Sequence, residues 1–189
     1  MAVSTPVCDF GAKMPAFALP DPDGTVHSSY EMRGANGTLV MFICNHCPYV
    51  QAVMDRIVRD ASELAREHGI GVVAISSNDV DEYPQDGPEH MRREAERHSF
   101  TFPYLYDESQ AVARAFGAEC TPDFFGYNAA GELQYRGRLD ASGRQPGPPD
   151  APRELLQAMV QIARTGQGPR DQVPSMGCSI KWKDETPSD

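Results

Sequence analysis

Thr38-Leu39-Val40-Met41-Phe42-Ile43-Cys44-Asn45-His46-Cys47-Pro48-Tyr49-Val50 carries the chain from an apolar run into a pair of cysteines and a proline. Leu39 to Cys44 is the longest apolar run in the sequence, about as long as one strand, so Thr38 to Ile43 reads as a strand buried on both faces. From Pro48 to His68 the period changes. Val50, Met54, Ile57, Ala61 and Leu64 recur at spacings of three and four, and Asp55, Arg59, Asp60, Glu63 and Arg66 fill the rest of the turn. That pattern predicts one helix over 48–68, stopped by Gly69. The two cysteines therefore stand where a buried strand becomes a helix.

The elements on either side repeat this alternation. Ala16 to Ala18 and Thr25 to Ser28 flank the turn Asp21-Pro22-Asp23-Gly24, which predicts a hairpin. Ile70 to Ser76 reads as a second buried strand, Glu89 to Ser99 as a charged helix, Pro103 to Tyr106 as a strand and Gln110 to Phe116 as a helix. Phe124 to Tyr127 and Leu133 to Arg138 predict a hairpin around Asn128-Ala129-Ala130-Gly131, and Arg153 to Arg164 a last helix. Strands alternating with helices require parallel pairing and right-handed crossovers, while the late hairpin adds antiparallel strands. The expected fold is a three-layer α/β/α domain with a mixed central sheet and an N-terminal β-hairpin extension. Residues 1–12 read as a loose arm, 13–165 as the domain and 166–189 as a tail packing on it.

Composition narrows the function. The net charge of −10 over 189 residues argues against nucleic acid and anionic membranes, because phosphates repel such a surface. No run approaches the ~18 apolar residues of a membrane helix, and the first residues show no signal-peptide pattern, so the expected compartment is the cytoplasm. An odd count of five cysteines in a reducing compartment argues against a structural disulfide framework. It leaves redox catalysis, metal binding or burial. Zinc normally takes four ligands, and no second Cys pair accompanies Cys44 and Cys47. No metal and no cofactor are expected.

A helix N-terminus stabilises an anion, and a thiolate placed there has a lowered pKa. Cys44 is expected as the more exposed nucleophile, with Cys47 as its partner one turn in. Their two-residue spacing lets the sulfurs meet. His46 adds a positive charge that favours thiolate over disulfide, and Asn45 and His46 are expected to face the substrate. Ser77-Asn78-Asp79 follows a strand end on the same sheet edge, either shaping the groove or forming a turn. The remaining histidines, and the run Arg92-Arg93-Glu94-Ala95-Glu96-Arg97, read as solvated.

Cys120-Thr121-Pro122, just before the late hairpin, completes a pattern. A strand, C-x-x-C opening a helix, βα units, and Thr-Pro entering an antiparallel hairpin together resemble the thioredoxin fold. The string Pro15-Ala16-Phe17-Ala18-Leu19-Pro20-Asp21 and the early hairpin are similar to its redoxin (AhpC/TSA-like) branch. Cys44-Asn45-His46-Cys47-Pro48-Tyr49-Val50, Tyr83-Pro84, Thr121-Pro122-Asp123-Phe124-Phe125 and Gly177-Cys178-Ser179-Ile180-Lys181-Trp182 resemble a group of soluble thioredoxin-like proteins within that branch.

The resemblance implies a cis Pro122 against the sulfurs, with the backbone of Thr121 pairing with an extended substrate. It implies a thiol–disulfide oxidoreductase that cycles Cys44–Cys47 against a protein or small-molecule disulfide and an unidentified reductant. A peroxiredoxin-like thiol peroxidase is the alternative, although Val40 and Cys44 replace the proline and threonine of the peroxidase motif. A non-enzymatic thiol or metal-binding module is a second alternative. No acid stands on the strand before the motif, which leaves Glu119 and Asp123 as candidate proton acceptors for Cys47. Cys120 reads either as a third redox thiol or as a strand-core cysteine. Cys178 reads either as a resolving thiol or as part of a cover, and Cys8 as a bystander.

Overall fold

The structure, a computed structural model, describes residues 1–184, so the last five residues of the expected tail lie outside the described residues. In chain order the elements are β1 (Ala2–Ser4), β2 (Ala18–Pro20), β3 (Val26–Ser28), α1 (Ser29–Met32), β4 (Gly37–Phe42), α2 (Pro48–Gln51), α3 (Met54–His68) and β5 (Ile70–Ser76). They continue as α4 (Pro88–Arg97), β6 (Tyr104–Tyr106), α5 (Ala111–Phe116), β7 (Cys120–Thr121), β8 (Asp123–Tyr127), β9 (Leu133–Tyr135), α6 (Glu154–Thr165) and β10 (Met176–Ser179).

The central sheet has the order β6-β5-β4-β8-β9. β4 runs parallel to β5 and antiparallel to β8, so the sheet is mixed as expected. β4 is apolar throughout because both faces are covered. Leu39, Met41 and Ile43 share a core with Val50, Ile57 and Leu64 and with Leu155 and Met159 of α6. Val40 and Phe42 pack on the other side with Ala113 and Phe116 of α5, and with Met14 and Phe17. Each such fully buried side chain contributes about 1.5–3 kcal/mol. The early hairpin pairs Leu19 with His27. Its turn is held by Asp21, whose Oδ1 accepts from the amides of Asp23 and Thr25.

Two expectations are corrected. The helix over 48–68 is broken at Val53, whose φ of −125° and ψ of 10° end α2 before α3 begins. Periodicity does not reveal the break, because Val50, Val53, Met54 and Ile57 keep one apolar stripe across it. The loose arm and aperiodic tail are also strands. β1 pairs antiparallel with β10, and β10 pairs antiparallel with β7, so both chain ends form a sheet with the segment before Pro122. Each of these strands is four residues or fewer, too short for a period-two pattern to show.

The register of β4 and β8 places the site. Phe42 lies opposite Asp123, so two residues further on Cys44 leaves the sheet beside Thr121.

Candidate active site

The Thr121–Pro122 peptide is cis. Both sulfurs lie against it. Cys44 Sγ is 3.5 Å from Thr121 Oγ1, and Cys47 Sγ is 3.1 Å from the Thr121 carbonyl oxygen, to which it donates when protonated. The expected difference in exposure between the cysteines is absent: Cys44 is 1% and Cys47 0% exposed. The chain's own tail encloses them, since β10 sets Cys178 directly opposite Thr121. The backbone expected to receive a substrate strand is thus already paired.

The resting charge also falls elsewhere than expected. α2 is a single turn capped by Cys47, so its dipole is much weaker than that of a long helix. The anion depends on specific hydrogen bonds instead. Cys47 is lowered to about 5, chiefly by a hydrogen bond from the Cys44 thiol and against its own burial, with help from Thr121 and from the thiol and backbone N–H of Cys178. Cys44 is pushed well up by that same bond to Cys47, by burial and by the nearby charge of Asp86. These contacts favour the negative charge of the pair on Cys47 and the proton on Cys44.

Asp86 is the residue that sequence reading missed. It is fully buried in the 3₁₀ turn Pro84–Asp86, and it organises the Cys44–Cys47 loop. Its Oδ1 accepts from the amides of Asn45 at 2.8 Å and His46 at 3.3 Å. Its Oδ2 lies 2.5 Å from His46 Nδ1 and accepts from Asn78 Nδ2 at 3.0 Å. The His46 ring stacks on Tyr83, with centroids 5.2 Å apart. The available signal was turn chemistry around an acid, Tyr83-Pro84-Gln85-Asp86-Gly87, but nothing local ties that turn to Cys44.

Asn45 is corrected by the same network. Its side chain accepts from Tyr104 Oη at 2.9 Å and donates to the Gln85 carbonyl at 2.9 Å, so it braces the loop from inside. Asn78 joins the tail, accepting from Lys181 N at 2.9 Å. Cys44, His46 and Asp86 place one donor atom each within 4.8 Å of one another. These are three groups, where a structural zinc takes four, and the His46–Asp86 contact is a hydrogen bond.

The remaining candidates separate cleanly. Cys120 is fully buried against the Pro122 carbonyl, and burial together with Asp123 pushes its thiol far up. Asp123 is engaged by Arg136 Nη2 at 3.0 Å and by the Glu119 amide at 3.0 Å, while Glu119 itself is exposed. Asp123 is thus committed to its ion pair with Arg136. Cys8 is raised to about 11 by burial and by Asp9.

Among solved structures, an uncharacterized conserved protein from Geobacillus kaustophilus is 41% identical, with a TM-score of 0.91 and 98% of both chains covered. A protein named "Putative Thioredoxin" from Neisseria meningitidis is 26% identical, with a TM-score of 0.61, covering 82% of this chain and 92% of that one. A protein named "Putative peroxiredoxin" from Mycobacterium tuberculosis is 28% identical over 135 residues, which is 71% of this chain and 80% of that protein. The family model described as AhpC/TSA matches residues 10–136. With its thioredoxin-like fold and its paired cysteines at the sheet edge, the chain belongs to the AhpC/TSA family and is an oxidoreductase.

Proposed function

We propose that Cys44 and Cys47 form a reversible dithiol/disulfide couple that exchanges with a protein or small-molecule disulfide in a reducing compartment. The observation that carries this reading is geometric: both sulfurs lie against the cis Thr121–Pro122 peptide, Cys44 Sγ 3.5 Å from Thr121 Oγ1 and Cys47 Sγ 3.1 Å from the Thr121 carbonyl oxygen. The Cys47 thiolate acts as the base, taking the Cys44 proton as Cys44 attacks. The attack falls on one sulfur of the substrate disulfide and expels a thiolate. The expelled sulfur takes the proton from Cys47. Cys47 next attacks Cys44 in the mixed disulfide and releases the second substrate sulfur as a thiolate, which takes a proton from water. Two substrate thiols and one Cys44–Cys47 disulfide result. No helix of the described residues is long and apolar enough to cross a membrane.

A second reading, peroxide reduction at Cys47, draws on the same lowered sulfur and on the M. tuberculosis relative. Against it, Val40 and Cys44 stand at the two peroxidase-motif positions.

The charge on Cys47 has a direct test. Thiolate absorbance near 240 nm in the reduced protein should rise with a midpoint near pH 5 and be lost in Cys47→Ser. Stability follows the same sign. Cys47 is depressed below its unfolded value of 9.0, so the reduced protein should gain stability from pH 5 to 9 and lose it as pH falls through 5. The slope is at most about 1.4 kcal/mol per pH unit. The oxidised protein, lacking the thiolate, should not show it. A thiolate midpoint near 9 would contradict the assignment.

A further inference from the structure

β10 lies where the resemblance expects a substrate strand. It runs antiparallel to β7, pairs Cys178 with Thr121, and continues the bend made by Pro122. Several contacts keep it there. Ser175 Oγ donates to the Pro122 carbonyl at 2.7 Å, Ile180 N to the Glu119 carbonyl at 3.1 Å, and Lys181 N to Asn78 at 2.9 Å. Trp182 lies under the Arg114 guanidinium, 4.5 Å from ring centroid to Cζ. Gly177 is required by this fit, because a Cβ there would stand 2.0 Å from the Thr121 carbonyl oxygen. No other residue could lie so close to the bend. The fit sets Cys178 opposite Thr121, whose carbonyl oxygen is 3.1 Å from Cys47 Sγ, and packs it against the cluster that holds both motif cysteines. Cys178 is half-buried, whereas Cys44 and Cys47 are sealed.

We propose that β10 is a tethered substrate strand, and that Cys178 exchanges with the Cys44–Cys47 disulfide to carry its oxidising equivalent out to a reachable sulfur. This rests on the dithiol couple proposed above. In the step, the Cys178 thiolate attacks Cys47 Sγ, the Cys47–Cys178 bond forms, the Cys44–Cys47 bond breaks, and Cys44 leaves as a thiolate. The Cys178 proton goes to Cys44. No external oxidant is consumed, because one disulfide replaces another. The resting charges agree with this order. Cys178 is raised to about 11 by burial and then by Cys47 itself. The contribution of Cys47 vanishes once that sulfur is in a disulfide, so Cys178 ionises more readily when there is something to attack.

The test maps disulfides in the full chain. Native protein is oxidised with diamide, quenched in acid, alkylated and digested with trypsin. Cys44 and Cys47 fall in peptide 34–56 and Cys178 in peptide 171–181. The expected wild-type products are an internal Cys44–Cys47 disulfide and a cross-link between the two peptides in which Cys44 is alkylated. Cys44→Ser should raise the cross-link several-fold, and Cys178→Ser should abolish it while keeping the internal disulfide. An internal disulfide with no cross-link in the wild type, together with no cross-link in Cys44→Ser, would overturn the exchange and leave β10 a cover. Failure of the underlying couple looks different: the wild type then forms no internal disulfide at any oxidant level, which removes the exchange as well.

Discussion

Replacing Cys44 or Cys47 by serine is expected to abolish disulfide reduction completely while leaving the fold intact. Exchange requires a thiolate, and a serine hydroxyl supplies none near neutral pH. The two variants should fail differently. Cys44→Ser removes the attacking sulfur and the proton donor to Cys47, so no mixed disulfide with substrate should form at position 44. Cys47→Ser keeps the attacking sulfur but removes its proton acceptor and the resolving group, so a mixed disulfide at Cys44 should accumulate. Mass analysis of each variant after incubation with a disulfide substrate reads both outcomes. Full activity in Cys44→Ser would contradict the mechanism.

The largest effect on stability is expected at Asp86. Asp86→Ala leaves the amides of Asn45 and His46, the Asn78 amide and the His46 ring without their acceptor in a buried place. Removing one member of a buried charged network costs about 3–5 kcal/mol. That is a large part of the 5–15 kcal/mol typical of a whole domain. Asp86→Asn keeps one acceptor oxygen for the two backbone amides, so its cost should be nearer 1–3 kcal/mol, about that of an unsatisfied buried group. Urea unfolding at neutral pH measures both. The site should respond as well, because the loop carrying Cys44 is fixed by these bonds. In Asp86→Asn the charge beside Cys44 is gone, so the Cys44 thiol should ionise at lower pH than in the wild type. An Asp86→Ala protein as stable as the wild type would show that the turn does not brace the loop.

The central strand, its flanking helices and the two cysteines were legible because their signals are local. A continuous apolar run marks β4, and a three-four stripe marks α3. The cis bend at Pro122 came only through resemblance, since Thr-Pro by itself does not specify the isomer. The anchors of the site were not legible, for a physical reason. Asp86 is 42 residues from Cys44 in sequence, and Cys178 is 131 residues from Cys47. Such contacts are set by sheet register and crossover geometry, which no window of sequence contains. Nor could spacing show that the charge rests on Cys47, because that depends on which sulfur receives hydrogen bonds from Cys44 and from the tail.

A redox titration of the purified protein against glutathione, with acid quenching and mass mapping at each poise, tests the dithiol couple most directly. The account predicts a reversible two-electron transition that converts Cys44 and Cys47 from alkylatable thiols to a joined pair. Because the reduced form is favoured by its thiolate, the midpoint should be less negative than the roughly −270 mV of thioredoxin. Both cysteines remaining alkylatable at every poise, after unfolding in the quench, would contradict it.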